Sequence, residues 1–99
     1  MSLAQVEVGY AHLLLGEMSL ETDPSQGAAH FDKSITVLQE IKAENALALA
    51  YAGYGRLYKQ QGDTEQAREY FTKALSIFER LGTLIEPDKV RNELAELPQ

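Results

Sequence analysis

Residues 23–35 read DPSQGAAHFDKSI, and residues 63–75 read DTEQAREYFTKAL. Forty positions apart, Asp23 returns as Asp63, Gln26 as Gln66, Phe31 as Phe71 and Lys33 as Lys73. Ser34 is matched by Ala74, Ile35 by Leu75 and Ile41 by Leu81. Upstream the register slips by one, so that Leu15 matches Tyr54 and Gly16 matches Gly55. A slip of that kind is cheapest between helices, where a residue is gained or lost without disturbing a core. Self-similarity at such a period marks one supersecondary unit used twice.

Each copy opens as a helix opens. Asp23 and Asp63 have the chemistry of N-caps, and Gln26 and Gln66 stand three residues on, as in a capping box. Pro24 takes the first helical position, where its missing N–H costs nothing. Beyond the caps, Ala28, Phe31, Ile35 and Leu38 recur at helical spacing, as do Ala67, Phe71, Ala74, Phe78 and Leu81. Glu69 and Lys73 form an i,i+4 pair on the wet side. Gly82 is a stop, with Arg80 suiting the negative end of the helix.

Between the two copies lies a different kind of helix, Asn45 to Gln61. Its apolar residues run nearly all round, with Leu47, Tyr51, Tyr54 and Tyr58 on one stripe and Leu49, Ala52 and Arg56 on another. A helix of that pattern is buried on more than one side. Leu3 to Leu20 is similar, whereas Pro87 to Leu97 is short and polar with a seam of Val90, Leu94 and Leu97. That last pattern suits a cap that closes a core and faces water. The reading is all-α: about five helices, no strand, in antiparallel hairpins.

The composition bounds the function. Ninety-nine residues make one small domain. At 44% hydrophobic the chain is too apolar to be disordered, it has no apolar run of membrane-spanning length, and with no basic-then-apolar pattern at its start no secretion is expected. The absence of cysteine removes disulfides, thiolate metal sites and thiol catalysis. A net charge of -6 disfavours nucleic acid and anionic membrane as partners. The surplus sits in residues 1–50, where seven acids face only Lys33 and Lys42. A cytoplasmic setting is the default.

Candidate chemistry is thin. Gly53-Tyr54-Gly55 lies inside a helix and lacks the third glycine of a phosphate-binding loop. His12 and His30 have no metal partner at i,i+4 and read as surface or packing residues. Glu17 and Glu21 share a helix face, but general acid–base work needs an enclosing pocket. Three tyrosines on one stripe read as core rather than as a stacking platform. No catalytic residue, metal site or cofactor is expected.

These residues resemble the tetratricopeptide repeat, whose pattern is a large aromatic, then Leu-Gly, Tyr, Ala, Phe and a final Pro. Tyr51 takes the aromatic place, Tyr54-Gly55 the Leu-Gly place and Tyr58 the Tyr place. Gly62 matches the turn, and Ala67, Phe71 and Ala74 follow. The match is dense over residues 48–81. Over residues 10–42 it is thinner: Gly16 and Phe31 stand in place, but Ser19 replaces the Tyr and Gly27 the Ala. Glu79 stands where the closing Pro belongs, and the period is near 40 rather than about 34. Longer second helices account for both departures. This form is similar to arrays appended to large bacterial multidomain regulators, and the ending from Arg91 to Leu97 is similar to how such arrays close.

The resemblance implies an α-solenoid of stacked hairpins, with repeat 1 over about 3–42, repeat 2 over about 44–82 and a capping helix over about 87–97. It implies a non-catalytic protein-interaction module, the C-terminal piece of a larger regulatory or signalling protein. A peptide or helix would lie in a concave groove lined by the first helix of each pair. That places Tyr10, Leu13, Glu17 and Glu21 in the groove from the first helix. Leu49, Ala52, Arg56, Lys59 and Gln60 follow from the third, and Lys89 and Asn92 from the last. Small Ala52 and Gly53 leave room for a partner's side chain, and Glu17 pairs with Arg56 across the groove. The chaperone-tail clamp of some family members does not carry over, because Leu13 and Glu17 replace its Lys and Asn. The alternative is self-association: the first helix is apolar all round, so Leu3, Val6, Tyr10 and Leu14 form a homodimer contact.

Overall fold

The computed structural model describes residues 3–20, 22–82 and 86–98. Five helices follow one another: α1 (Leu3–Ser19), α2 (Pro24–Glu40), α3 (Glu44–Gln60), α4 (Thr64–Leu81) and α5 (Glu86–Ala95). No strand occurs among the described residues. The most extensive packing is α1 on α2 and α3 on α4, followed by α2 on α3 and α4 on α5. α1 also touches α3. Alternate helices thus share a layer, α1, α3 and α5 in one and α2 and α4 in the other. The thinnest extent of the backbone, 18 Å, is that of two helix layers.

The caps form as the local chemistry requires. Asp23 Oδ1 accepts from the Gln26 N–H at 3.3 Å, and Asp63 Oδ1 from the Gln66 N–H at 3.2 Å. Gly82 caps α4 in the left-handed region at φ 74°. Glu69 and Lys73 pair at 3.7 Å.

Close helix approach is built on glycine and phenylalanine. Phe31 and Phe71 are both fully buried. A β-carbon placed on Gly16 would lie 2.8 Å from the Phe31 ring, one on Gly53 would lie 2.5 Å from it, and one on Gly55 would meet Phe71 at 2.8 Å. Phe31 is therefore a wedge that touches both its hairpin partner α1 and the next hairpin's α3. Ser34 is the one buried polar side chain among those described, and its hydroxyl donates to the Gly9 carbonyl at 2.9 Å. That bond removes the penalty of an unpaired hydroxyl in a core. Leu13, Phe31, Leu38, Ala50, Tyr54 and Leu57 form one core cluster; Tyr51, Ala52, Ala67, Phe71, Ala74, Phe78 and Val90 belong to the other.

Candidate functional site

The layer of α1, α3 and α5 is the face on which a partner was expected, and the structure sorts its residues into three groups. Tyr10 is 42% exposed, and Glu17, Gln60, Lys89 and Asn92 are exposed as well. Leu49 is half-buried. Glu21 and the side chain of Leu3 lie outside the described residues.

Leu13 and Ala52 do not belong to this face. Leu13 is 3% exposed and Ala52 is fully buried. On α1, Leu13 follows Gly9 by four residues and precedes Gly16 by three, so it shares the stripe that packs on α2. Ala52 sits in the cluster around Ala67 and Phe71 of α4. The room expected beside Gly53 is filled by the Phe31 ring. Val6, expected at a dimer contact, is half-buried and packs against the first core cluster.

The cations of α3 meet the carboxylates of α5 rather than Glu17. Arg56 Nε and one terminal nitrogen donate to the two oxygens of Glu93 at 2.7 and 2.8 Å, with side-chain exposures of 21% and 15%. This forked geometry is the strong form of the Arg–carboxylate contact. One turn on, Lys59 reaches Glu96 at 3.1 Å. Glu93 and Glu96 were missed in the sequence, although they repeat the three-residue spacing of Arg56 and Lys59 thirty-seven positions later. The two pairs fasten α5 alongside α3. Glu17 has no ion pair among the described residues and leaves α1 acidic.

On the other side of α3 four tyrosines meet. The Tyr54 ring lies 4.9 Å from Tyr58 and 4.8 Å from Tyr70, with Tyr51 at 5.9 Å from Tyr70. Gln39 donates to the Tyr51 hydroxyl at 2.9 Å, and the Lys73 ammonium lies 5.0 Å from the Tyr70 ring centre. Burial, then hydrogen bonding with Tyr58 and Asp32, pushes the Tyr54 phenol far above its ordinary range. Burial also raises Tyr70, with the charges of Tyr58 and Asp32 adding to it. Both remain neutral phenols at physiological pH, and their work is packing and hydrogen bonding. The core reading of Tyr51 and Tyr54 agrees with this arrangement; Tyr58 and Tyr70 are half-buried.

At the N-terminal hairpin His12 and His30, read separately in the sequence, meet at 2.9 Å between their Nδ1 atoms. No group of three His, Cys, Asp or Glu side chains suited to a metal occurs among the described residues. No described helix is long and apolar enough to cross a membrane.

A family model described as tetratricopeptide repeat matches residues 3–80. No curated protein and no solved structure matches the chain.

Proposed function

Since the chain belongs to the tetratricopeptide-repeat family, whose members are typically non-catalytic interaction modules, we propose that it binds a peptide or helix across the face of α1, α3 and α5. The observation that carries the reading is the division of that face into satisfied and unsatisfied groups. Arg56 and Lys59 are engaged by Glu93 and Glu96. Tyr10, Glu17, Leu49, Gln60, Lys89 and Asn92 remain for a partner. A segment with an apolar residue for Tyr10 and Leu49 and a base for Glu17 matches that set. The long repeat resembles those of arrays in large bacterial multidomain regulators, and we read the chain as part of such a regulatory or signalling protein, with the cytoplasm as its default setting.

A peptide array tests this directly. Peptides pairing an apolar residue with Lys or Arg are expected to bind, and Glu17→Lys and Tyr10→Ala to lose them. Retention of every peptide by both variants would show that the face is not the binding surface. Arg56 is a poor choice for such a test, because its substitution disturbs the α3–α5 seam.

A second reading, self-association through α1, is supported by exposure on that helix. Met18 is 72% and Leu14 57% exposed, with Val8 and Leu15 each at 42%. Thirty-nine positions on, the α3 counterparts of Met18 and Leu15 are Leu57 and Tyr54, which are buried against α2. Sedimentation velocity over a range of concentrations is expected to show a dimer that Met18→Asp abolishes. Sedimentation as a monomer up to millimolar concentration would exclude it.

A further inference from the structure

The contact between His12 of α1 and His30 of α2 has a geometry that restricts what it can hold. The Nδ1 atoms are 2.9 Å apart, and the ring centres are 5.1 Å apart with the planes inclined at 28°. The distance between centres is nearly the nitrogen–nitrogen distance plus two ring radii. The rings therefore meet edge to edge, and both Nδ1 lone-pair directions lie close to one line. A proton fits on that line. A metal ion does not, because it would have less space on each side than the ~2.0–2.1 Å of a metal–imidazole bond.

We propose that His12 and His30 are a one-proton clasp between α1 and α2, which opens when the second ring is also protonated and so makes the first helix acid-sensitive. In the neutral pair one ring donates its Nδ1–H and the other accepts at Nδ1. The first added proton enters at the free Nε2 of the donor ring. The Nδ1–H of that imidazolium still donates, now in a charge-assisted bond. A second proton has only the accepting Nδ1 to occupy. Two N–H groups and two positive charges would then face each other at hydrogen-bond distance, and the contact breaks. Proton uptake belongs to the pair rather than to either ring alone.

The surroundings give no relief to a second charge. From α2, Lys33 adds positive potential at His12. Glu7 and Glu17 of α1 each stand five residues from His12, roughly 140° round the helix, and Asp32 is roughly 160° round α2 from His30. Neither ring has a carboxylate partner among the described residues. Burial, then the charges of His30 and Lys33, hold His12 below the ordinary imidazole range. Such a group binds its proton more readily in the unfolded chain. The stability it contributes is therefore present above about pH 6.5 and is lost as pH falls through the lowered value. The Ser34–Gly9 bond and the Phe31–Gly16 contact still hold α1 at its centre. The acid response is thus local rather than global.

Ring-proton NMR from pH 8 to pH 4.5 tests the clasp, together with amide exchange along α1. The wild type is expected to show coupled titration of the two rings and several-fold faster exchange in α1 at the acid end, relative to α4. His30→Asn should raise the His12 midpoint toward that of a free imidazole and remove most of the acid dependence. His12→Gln, a second variant of similar size, should do the same to the exchange. Rings that titrate independently of each other's substitution would overturn the proposal. So would acid-accelerated exchange of α1 that persists unchanged in the His12→Gln/His30→Asn double variant with native helicity.

Discussion

The turn after α2 and the turn after α3 make the same hydrogen bonds with different residues. The Ala43 N–H donates to Leu38 at 3.0 Å and the Lys42 N–H to Gln39 at 3.2 Å; the Asp63 N–H donates to Tyr58 at 2.9 Å and the Gly62 N–H to Lys59 at 3.1 Å. Both are Schellman turns. Each needs one residue in the left-handed region, and Gly62 takes φ 80° there without a β-carbon to strain. Lys42 takes φ 57° in the same place and carries the strain. The next residue differs as well, since Asp63 caps α4 through its side chain whereas Ala43 gives α3 no side-chain cap. The α3–α4 hairpin is thus favoured locally as well as by packing. The α2–α3 turn forms although its residues disfavour it, because Leu38, Ile41 and Ala46 on either side of it are buried in the first core cluster. Tertiary packing overrides local preference at that point.

The strongest way to break this comparison is to remove the packing. Phe31→Ala and Phe71→Ala should each lower stability by about 3–5 kcal/mol in urea unfolding, through the cavity left behind. Phe31→Ala should also broaden the transition, because of the two rings Phe31 alone touches both α1 and α3. Equal, sharp transitions in both variants would mean that the hairpins are not coupled through this ring. A smaller effect is expected at the α3–α5 seam. Glu93→Gln leaves the half-buried Arg56 without its forked partner and should cost about 1–3 kcal/mol. Glu96→Gln should cost about 0–1 kcal/mol, as exposed pairs do. Thermal melts of both variants separate a seam held by Arg56 from one held by surface charge in general. The smallest effects sharpen the comparison of the turns. Lys42→Gly should stabilise by about 0.5–1 kcal/mol, and Ala43→Asp by about 1 kcal/mol through a new cap. Gly62→Lys should lose stability. If Lys42→Gly melts no higher than wild type, backbone strain is not what distinguishes the two turns.

The fold was largely legible in the chain because its signals are local. Asp23, Asp63, Pro24 and Gly82 act within one turn of themselves, and the Phe31 and Phe71 stripes act within one helix, so a window of a few residues contains both cause and effect. The face proposed for a partner was legible only in part. Tyr10, Glu17 and Asn92 are exposed. Leu13 and Ala52 are not, because periodicity shows that a stripe exists without showing which neighbour covers it. That depends on how the helices cross and on the close approach that Gly16, Gly53 and Gly55 allow.

The sequence by itself determined a helical repeat with its Asp23 and Asp63 caps and its glycine turns at Gly62 and Gly82, since each of these follows from side chains a turn or less apart. Only the tertiary structure decided that Arg56 meets Glu93 rather than Glu17, and that two histidines eighteen residues apart share an edge. Both contacts join different helices. Their partners are chosen by the rotation of each helix about its own axis, which packing sets and which no local pattern records.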